Sequence, residues 1–277
     1  MKTSLFAVLG AAAVIGVVMT GSADAAGKAK KPEYQDWSFA GPFGTYDRGA
    51  LQRGFKVYRE VCSSCHAIEL VAFRNLMEPG GPEFSEDEVK AIAAEYTIIA
   101  ADPDEFGDEV ERPGIPADRF PSPWRNAEEA ASANGGAAPP DLSLITKARA
   151  VERGFPNFVF DIFTQYQEQG PDYVHGLLTG YPTDEPNDDG TYPNPYFLAG
   201  DAIRMAPPLV EGIVTYDDGT PETVEQYSLD VTHFLAWTAE PKLEERKALG
   251  LKTMVFLIIF AGLLYATKRR VFSSVAH

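Results

Sequence analysis

The chain has 277 residues, 45% of them hydrophobic, and a formal net charge of −16. Such a length and composition exclude a disordered or fibrous chain and leave room for one sizeable core. Residues 242–277 hold seven basic and two acidic side chains, which leaves about −21 on the preceding chain, a field that repels nucleic acid and attracts basic proteins.

In chain order, Lys2, the apolar stretch Leu5 to Val18 and the small-x-small site Ala23-Asp24-Ala25 read as an export signal, so residues 1–25 are expected to be cleaved. Asp47 is placed to cap a helix carrying Leu51, Phe55, Tyr58 and Val61 at helical spacing, and this helix delivers Cys62 and Cys65 at its end. Ser85 and Glu88 form a capping box for a second helix through Val89, Ile92 and Tyr96. From Ala101 to Pro140 seven prolines predict an irregular tract. Helical patterns resume at Leu142 to Ala150, Asn157 to Gln169 and Pro171 to Thr179, with Gly180 as a stop.

A second irregular tract, Tyr181 to Pro208, holds Met205. Thr220-Pro221 opens a long helix with Val224, Tyr227, Val231, Phe234 and Leu235 on one face, ending before Pro241. No strand run or internal repeat stands out. The segment Thr253 to Thr267 carries no charge and, extended by Leu249 and Leu251, approaches bilayer thickness at about 1.5 Å per residue. Lys268-Arg269-Arg270 follows it, which places the C-terminus in the cytoplasm and the bulk of the chain outside. The expected organisation is therefore a signal (1–25), an exported domain (26–241), a membrane anchor (242–270) and a short cytoplasmic tail (271–277), mostly α, with long loops around a cofactor.

The cofactor is read from the only two cysteines, Cys62-Ser63-Ser64-Cys65-His66. Two thiols three positions apart on one helical turn can each form a thioether to a haem vinyl group, and the adjacent imidazole can reach the iron. A zinc site would need further cysteines, and a thioredoxin-like redox pair would need a βαβ context. Export agrees with haem attachment outside the cytoplasm. The second axial ligand separates electron transfer from ligand chemistry. The residues offer Met77, Met205, His175 and His233, and Met205 is favoured because Pro207 and Pro208 stiffen the backbone that presents it.

Met205-Ala206-Pro207-Pro208-Leu209, Tyr216 to Pro221 and Trp237 to Lys242 resemble the cytochrome c1 family. So do Pro139-Pro140-Asp141-Leu142-Ser143, Lys147-Ala148-Arg149, Asp172-Tyr173-Val174, Leu177 to Tyr181 and Asn194 to Phe197. The resemblance spans roughly Phe39 to Arg270. It implies a cytochrome c-like haem domain with long loop insertions, His66 and Met205 as iron ligands, Arg149 paired with a haem propionate, and Tyr173, Pro139 and Pro140 lining the pocket. It further implies a place beside cytochrome b in a ubiquinol:cytochrome c reductase (bc1) complex in a bacterial inner membrane. There one covalent c-type haem would take electrons from a Rieske iron-sulfur protein and pass them to a basic soluble cytochrome c. The tracts 154–169 and 183–191 depart from the pattern, and the disulfide that steadies the methionine loop in some bacterial members cannot form here.

Two other classes compete. A free-standing tethered carrier would have a longer linker than the stretch from Pro241 to Leu249, and a haem enzyme would need an open iron. Glu211, Asp217 and Asp218, close behind Met205, are expected to ring an exposed haem edge.

Overall fold

The structure is a computed structural model that describes residues 29–100, 105–149, 156, 160 and 169–274. The export signal and most of the expected 157–169 helix lie outside the described residues. Helix α1 (Arg48–Glu60) starts where its cap demands, with the Asp47 carboxylate accepting from Ala50 N at 3.0 Å, and it buries Leu51, Phe55 and Tyr58. The Ser85–Glu88 box caps α2 (Glu86–Ala94).

The proline-rich tract that follows is more regular than expected. Strands β1 (Thr97–Ile99) and β2 (Glu111–Pro113) pair antiparallel. Asn126 accepts from Glu129 N at 2.8 Å and caps α3 (Ala127–Ala133). Elements of three to seven residues are too short to show a hydrophobic period, which is why the sequence hides them. The Leu142–Ala150 pattern shrinks to α4 (Ile145–Ala148) because the residues ahead of it serve a loop instead. There Asp141 accepts from Glu69 N and Ser143 N, each at 2.8 Å, and Ser143 Oγ accepts from Leu70 N at 3.1 Å.

Helix α5 (Gly170–Thr179) has Pro171 in its first turn, as its sequence predicts. Strands β3 (Tyr192–Pro193) and β4 (Ala202–Ile203) form a second short hairpin. Helix α6 (Val224–Ala239) opens three residues later than Thr220-Pro221 suggests, since Thr223 is the residue whose hydroxyl accepts from Gln226 N at 3.3 Å.

The core is the crossing of α1 and α6. Gly54 makes it possible, since a Cβ there would overlap the Asp230 carbonyl. Beside the crossing Arg53 forks onto the buried Asp230 carboxylate at 2.9 and 3.0 Å, and Tyr216 and Gln226 donate to the same carboxylate at 2.9 and 3.1 Å. With both carboxylate oxygens engaged, one of them by three donors, the buried charge is tolerated. Phe55, Tyr58, Phe120 and Phe234 pack around it with ring centroids 5.5–6.4 Å apart, each buried ring contributing about 1.5–3 kcal/mol.

Helix α7 (Leu243–Val271) follows α6 almost without a break. Its first turns are bound into the domain: the buried Lys247 ammonium donates to the Phe39 and Gly44 carbonyls at 2.7 and 3.0 Å, and Arg48 forks onto Glu244 at 2.9 and 2.8 Å. Beyond Leu249 every apolar side chain is exposed, and this is the single helix among the described residues long and apolar enough to cross a membrane. A flexible tether is therefore absent between Pro241 and the anchor, as the short connection in the sequence anticipates.

Candidate functional site

Immediately after α1 the chain tightens into a 3-10 turn, Cys62–Ser64, with Cys65 N and His66 N donating to the Cys62 carbonyl at 3.1 and 2.9 Å. Residues three apart in such a turn project from the same side, so both thiols face one way. Neither is in a disulfide. Burial pushes the Cys62 thiol up to about 12, so it is protonated rather than an anionic metal ligand.

His66 is oriented by its neighbours. Its Nδ1 donates to the Pro140 carbonyl at 2.8 Å, which fixes the tautomer and directs Nε2 away as an acceptor for a metal. Burial also holds the ring below the ordinary histidine value, the neutral form a ligand requires. Tyr58 donates to the His66 carbonyl at 3.0 Å and Trp124 Nε1 to the Cys65 carbonyl at 2.8 Å. A cavity of about 230 Å³ opens beside Cys65 and is lined by Trp124, Ala138, Pro139 and Asp141. Pro139 is thus a wall residue, whereas Pro140 acts through its carbonyl.

Met205 belongs to a second group. It lies two residues beyond β4, half-buried, and its carbonyl accepts from the Tyr181 hydroxyl at 3.0 Å. The buried Tyr173 ring is close enough to act electrostatically on Tyr181, and the Arg149 guanidinium close enough to act on Tyr173. Arg149 itself is exposed at the end of α4, a free cation among the described residues. No hydrogen bond among the described residues joins this group directly to His66. Beside Met205, the Arg204 guanidinium donates to the Asp189 carbonyl at 2.8 Å and approaches Gly135, four residues before Pro139.

The other proposed iron ligands are committed elsewhere. His175 meets Ser228 Oγ at 2.9 Å and Glu225 at 3.2 Å, one with each ring nitrogen. His233 meets the Leu229 carbonyl at 2.9 Å and packs edge-on against Trp37 and Phe39. Met77 is exposed at the end of a 3-10 turn, Phe73–Met77.

Sequence reasoning missed Tyr58, Trp124, Tyr181 and Arg204. Each acts across a long sequence separation or through a backbone atom, which leaves no periodic trace. Of the acids behind Met205, Asp217 pairs with Lys56 at 3.0 Å and Asp218 with Arg53 at 2.8 Å, so both meet cations of α1. Glu211 is exposed.

The donor set fits a covalently held haem: two thiols on one face, an imidazole with one nitrogen anchored and one free, and, in a separate group, a thioether, a guanidinium and two phenols. Residues 37–275 match the model of the Cytochrome C1 family. The chain is 60% identical over 247 residues to a cytochrome b/c1 of Bradyrhizobium diazoefficiens, covering 88% of this chain and 36% of that protein. It is 50% identical to a cytochrome c1 of Blastochloris viridis (86% and 85% covered) and 44% identical to one of Rhodospirillum rubrum (88% of each). The chain therefore spans about a third of the first relative's length and most of the other two. With the attachment turn, the oriented histidine and a family match over nearly the whole described chain, this protein belongs to the cytochrome c1 family, whose members carry a covalently bound c-type haem and serve as electron-transfer subunits of bc1 complexes.

Proposed function

We propose that this chain passes electrons from a Rieske iron-sulfur protein to a soluble c-type cytochrome, beside cytochrome b, with His66 and Met205 as the two iron ligands. The observation that carries the reading is His66, whose Nδ1 is tied to the Pro140 carbonyl beside two free thiols, leaving Nε2 for iron. The haem, when bound, supplies a one-electron couple whose potential a thioether ligand raises. The protein's part is placement. Cys62 and Cys65 hold the group, His66 presents a fixed nitrogen, Met205 occupies the position a substrate would need, and Arg149 offers its charge to a propionate. Tyr173 and Pro139 exclude water from the walls.

Residues 1–25 act in this reading as a cleaved signal, 26–241 as the periplasmic haem domain, 242–270 as the anchor in a bacterial inner membrane and 271–277 as a cytoplasmic tail. The continuous, bonded junction between α6 and α7 favours a docked subunit over a swinging carrier.

Two experiments test it. A denaturing gel stained for haem should show a band at the mass of this chain, lost when Cys62 and Cys65 are both replaced by serine. Met205→Leu, which roughly keeps the volume, should leave haem attached, lower the potential and admit carbon monoxide to the reduced iron. An unchanged potential with no carbon monoxide adduct would assign the ligand elsewhere.

A further inference from the structure

The thioether of a methionine is a weak iron ligand, and its occupancy depends on how firmly its backbone is held. Both cysteines of this chain are engaged at 62 and 65, so no disulfide can brace the methionine loop. The structure shows what braces it instead. The β3–β4 pairing, Tyr192 with Ile203 and Pro193 with Ala202, ends two residues before Met205, and Asn194 N donates to the Asp201 carbonyl at 2.9 Å across the hairpin. On one side Arg204 reaches the Asp189 carbonyl, in a turn that closes tightly because Gly190 takes a φ of +75°. On the other, Pro207 and Pro208 stiffen the chain before the buried Leu209.

These contacts hold the residues around Met205. The one side-chain bond made to Met205 itself among the described residues comes from Tyr181, at 3.0 Å. Tyr181 follows directly on α5, whose C-terminal Gly180 packs so closely on Tyr196 that a Cβ would overlap its ring. The fully buried Asn194, itself bound to the Leu177 carbonyl at 2.8 Å, sits beside the same phenol. The phenol is therefore fixed at its base by a helix end and at its flank by a buried amide, and it is aimed at a single acceptor.

We propose that Tyr181 is the positioning residue for the sixth iron ligand: its hydroxyl, by holding the Met205 carbonyl against the end of α5, fixes the direction in which the thioether points. The inference rests on the reading of Met205 as that ligand. A hydrogen bond of this kind contributes about 1 kcal/mol, so its loss should raise the fraction of protein with the methionine detached about five-fold. Nothing in the attachment turn changes, because Cys62, Cys65 and His66 are held by α1, Tyr58, Trp124 and Pro140.

The test uses the haem-loaded full chain in detergent and three variants. Tyr181→Phe keeps the ring and deletes only the hydroxyl. It should bind imidazole at the oxidised iron about five-fold more tightly than the parent and weaken the methionine-to-iron charge-transfer band, with the haem still covalent. Tyr216→Phe deletes a buried hydroxyl bound to Asp230, and should lower the thermal midpoint without moving imidazole affinity. Met205→Leu should abolish the band outright. Parent-like imidazole affinity and band in Tyr181→Phe, while Met205→Leu loses the band, overturns the positioning role alone. An equal gain in imidazole affinity in Tyr216→Phe overturns it as well, because the effect is then general loosening. Retention of the band in Met205→Leu overturns the ligand assignment on which the inference stands.

Discussion

The two sides of the proposed haem site are built by different means. The His66 wall is an extension of regular structure: α1 ends in a 3-10 turn, the turn aligns both thiols, and backbone carbonyls lock the imidazole and the turn. The Met205 wall is a loop, secured by a two-residue-per-strand hairpin, one arginine and one tyrosine. A helix is stabilised cooperatively along its length, whereas a loop is held by individual bonds worth about 1 kcal/mol each. With Met205 as the proposed ligand, ligand exchange should therefore begin on the methionine side, and damage to the histidine side should cost the whole fold.

The largest effect is expected where the histidine wall meets the core. Gly54→Ala forces a methyl into the Asp230 carbonyl and should destabilise the domain by about 3 kcal/mol, lowering the thermal midpoint and the yield of haem-bearing protein together. If the midpoint holds, α1 and α6 are not the support we describe. Next comes the junction with the anchor. Lys247→Met leaves the Phe39 and Gly44 carbonyls without their charged donor and should cost about 1–3 kcal/mol in the thermal midpoint, while the haem spectrum stays at the parent's. A changed spectrum would mean that the anchor clamp and the site are coupled.

Acid should weaken the α5–α6 region. His175 and His233 are held below the ordinary histidine value, chiefly because burial penalises the imidazolium. The unfolded chain then binds protons that the folded chain refuses, so stability falls as the pH drops below about 6.5 and is flat above it with respect to these groups. His233→Gln should reduce the slope of midpoint against pH between about 5 and 7; an unchanged slope would point to carboxylates instead.

The smallest effects concern the surface. Asp217→Asn with Asp218→Asn removes partners of Lys56 and Arg53 rather than an unmatched rim, and should change the low-salt rate of electron transfer to a basic cytochrome c by no more than about two-fold. A much larger loss would restore the docking patch expected from sequence. Pro140→Ala should be nearly silent in the haem spectrum, since the bond to His66 uses a carbonyl that alanine also possesses.

The sequence by itself determined what local chemistry can encode. The caps at Asp47 and Ser85 set two helix starts, the spacing of Cys62, Cys65 and His66 announced the haem, and the uncharged run before Lys268 announced an anchor. Each signal is complete within one short, contiguous stretch of chain. Only the tertiary structure decided which residues serve those signals from afar. It paired Asp217 and Asp218 with α1, gave His175 and His233 their partners, brought Pro140 to His66 and Tyr181 to Met205, and bound Lys247 to carbonyls some 200 residues earlier. The physical reason is that these are single hydrogen bonds and ion pairs, most of them between distant segments. Several use backbone acceptors that every residue carries, and the rest join single side chains far apart in sequence, so neither leaves a pattern along the chain.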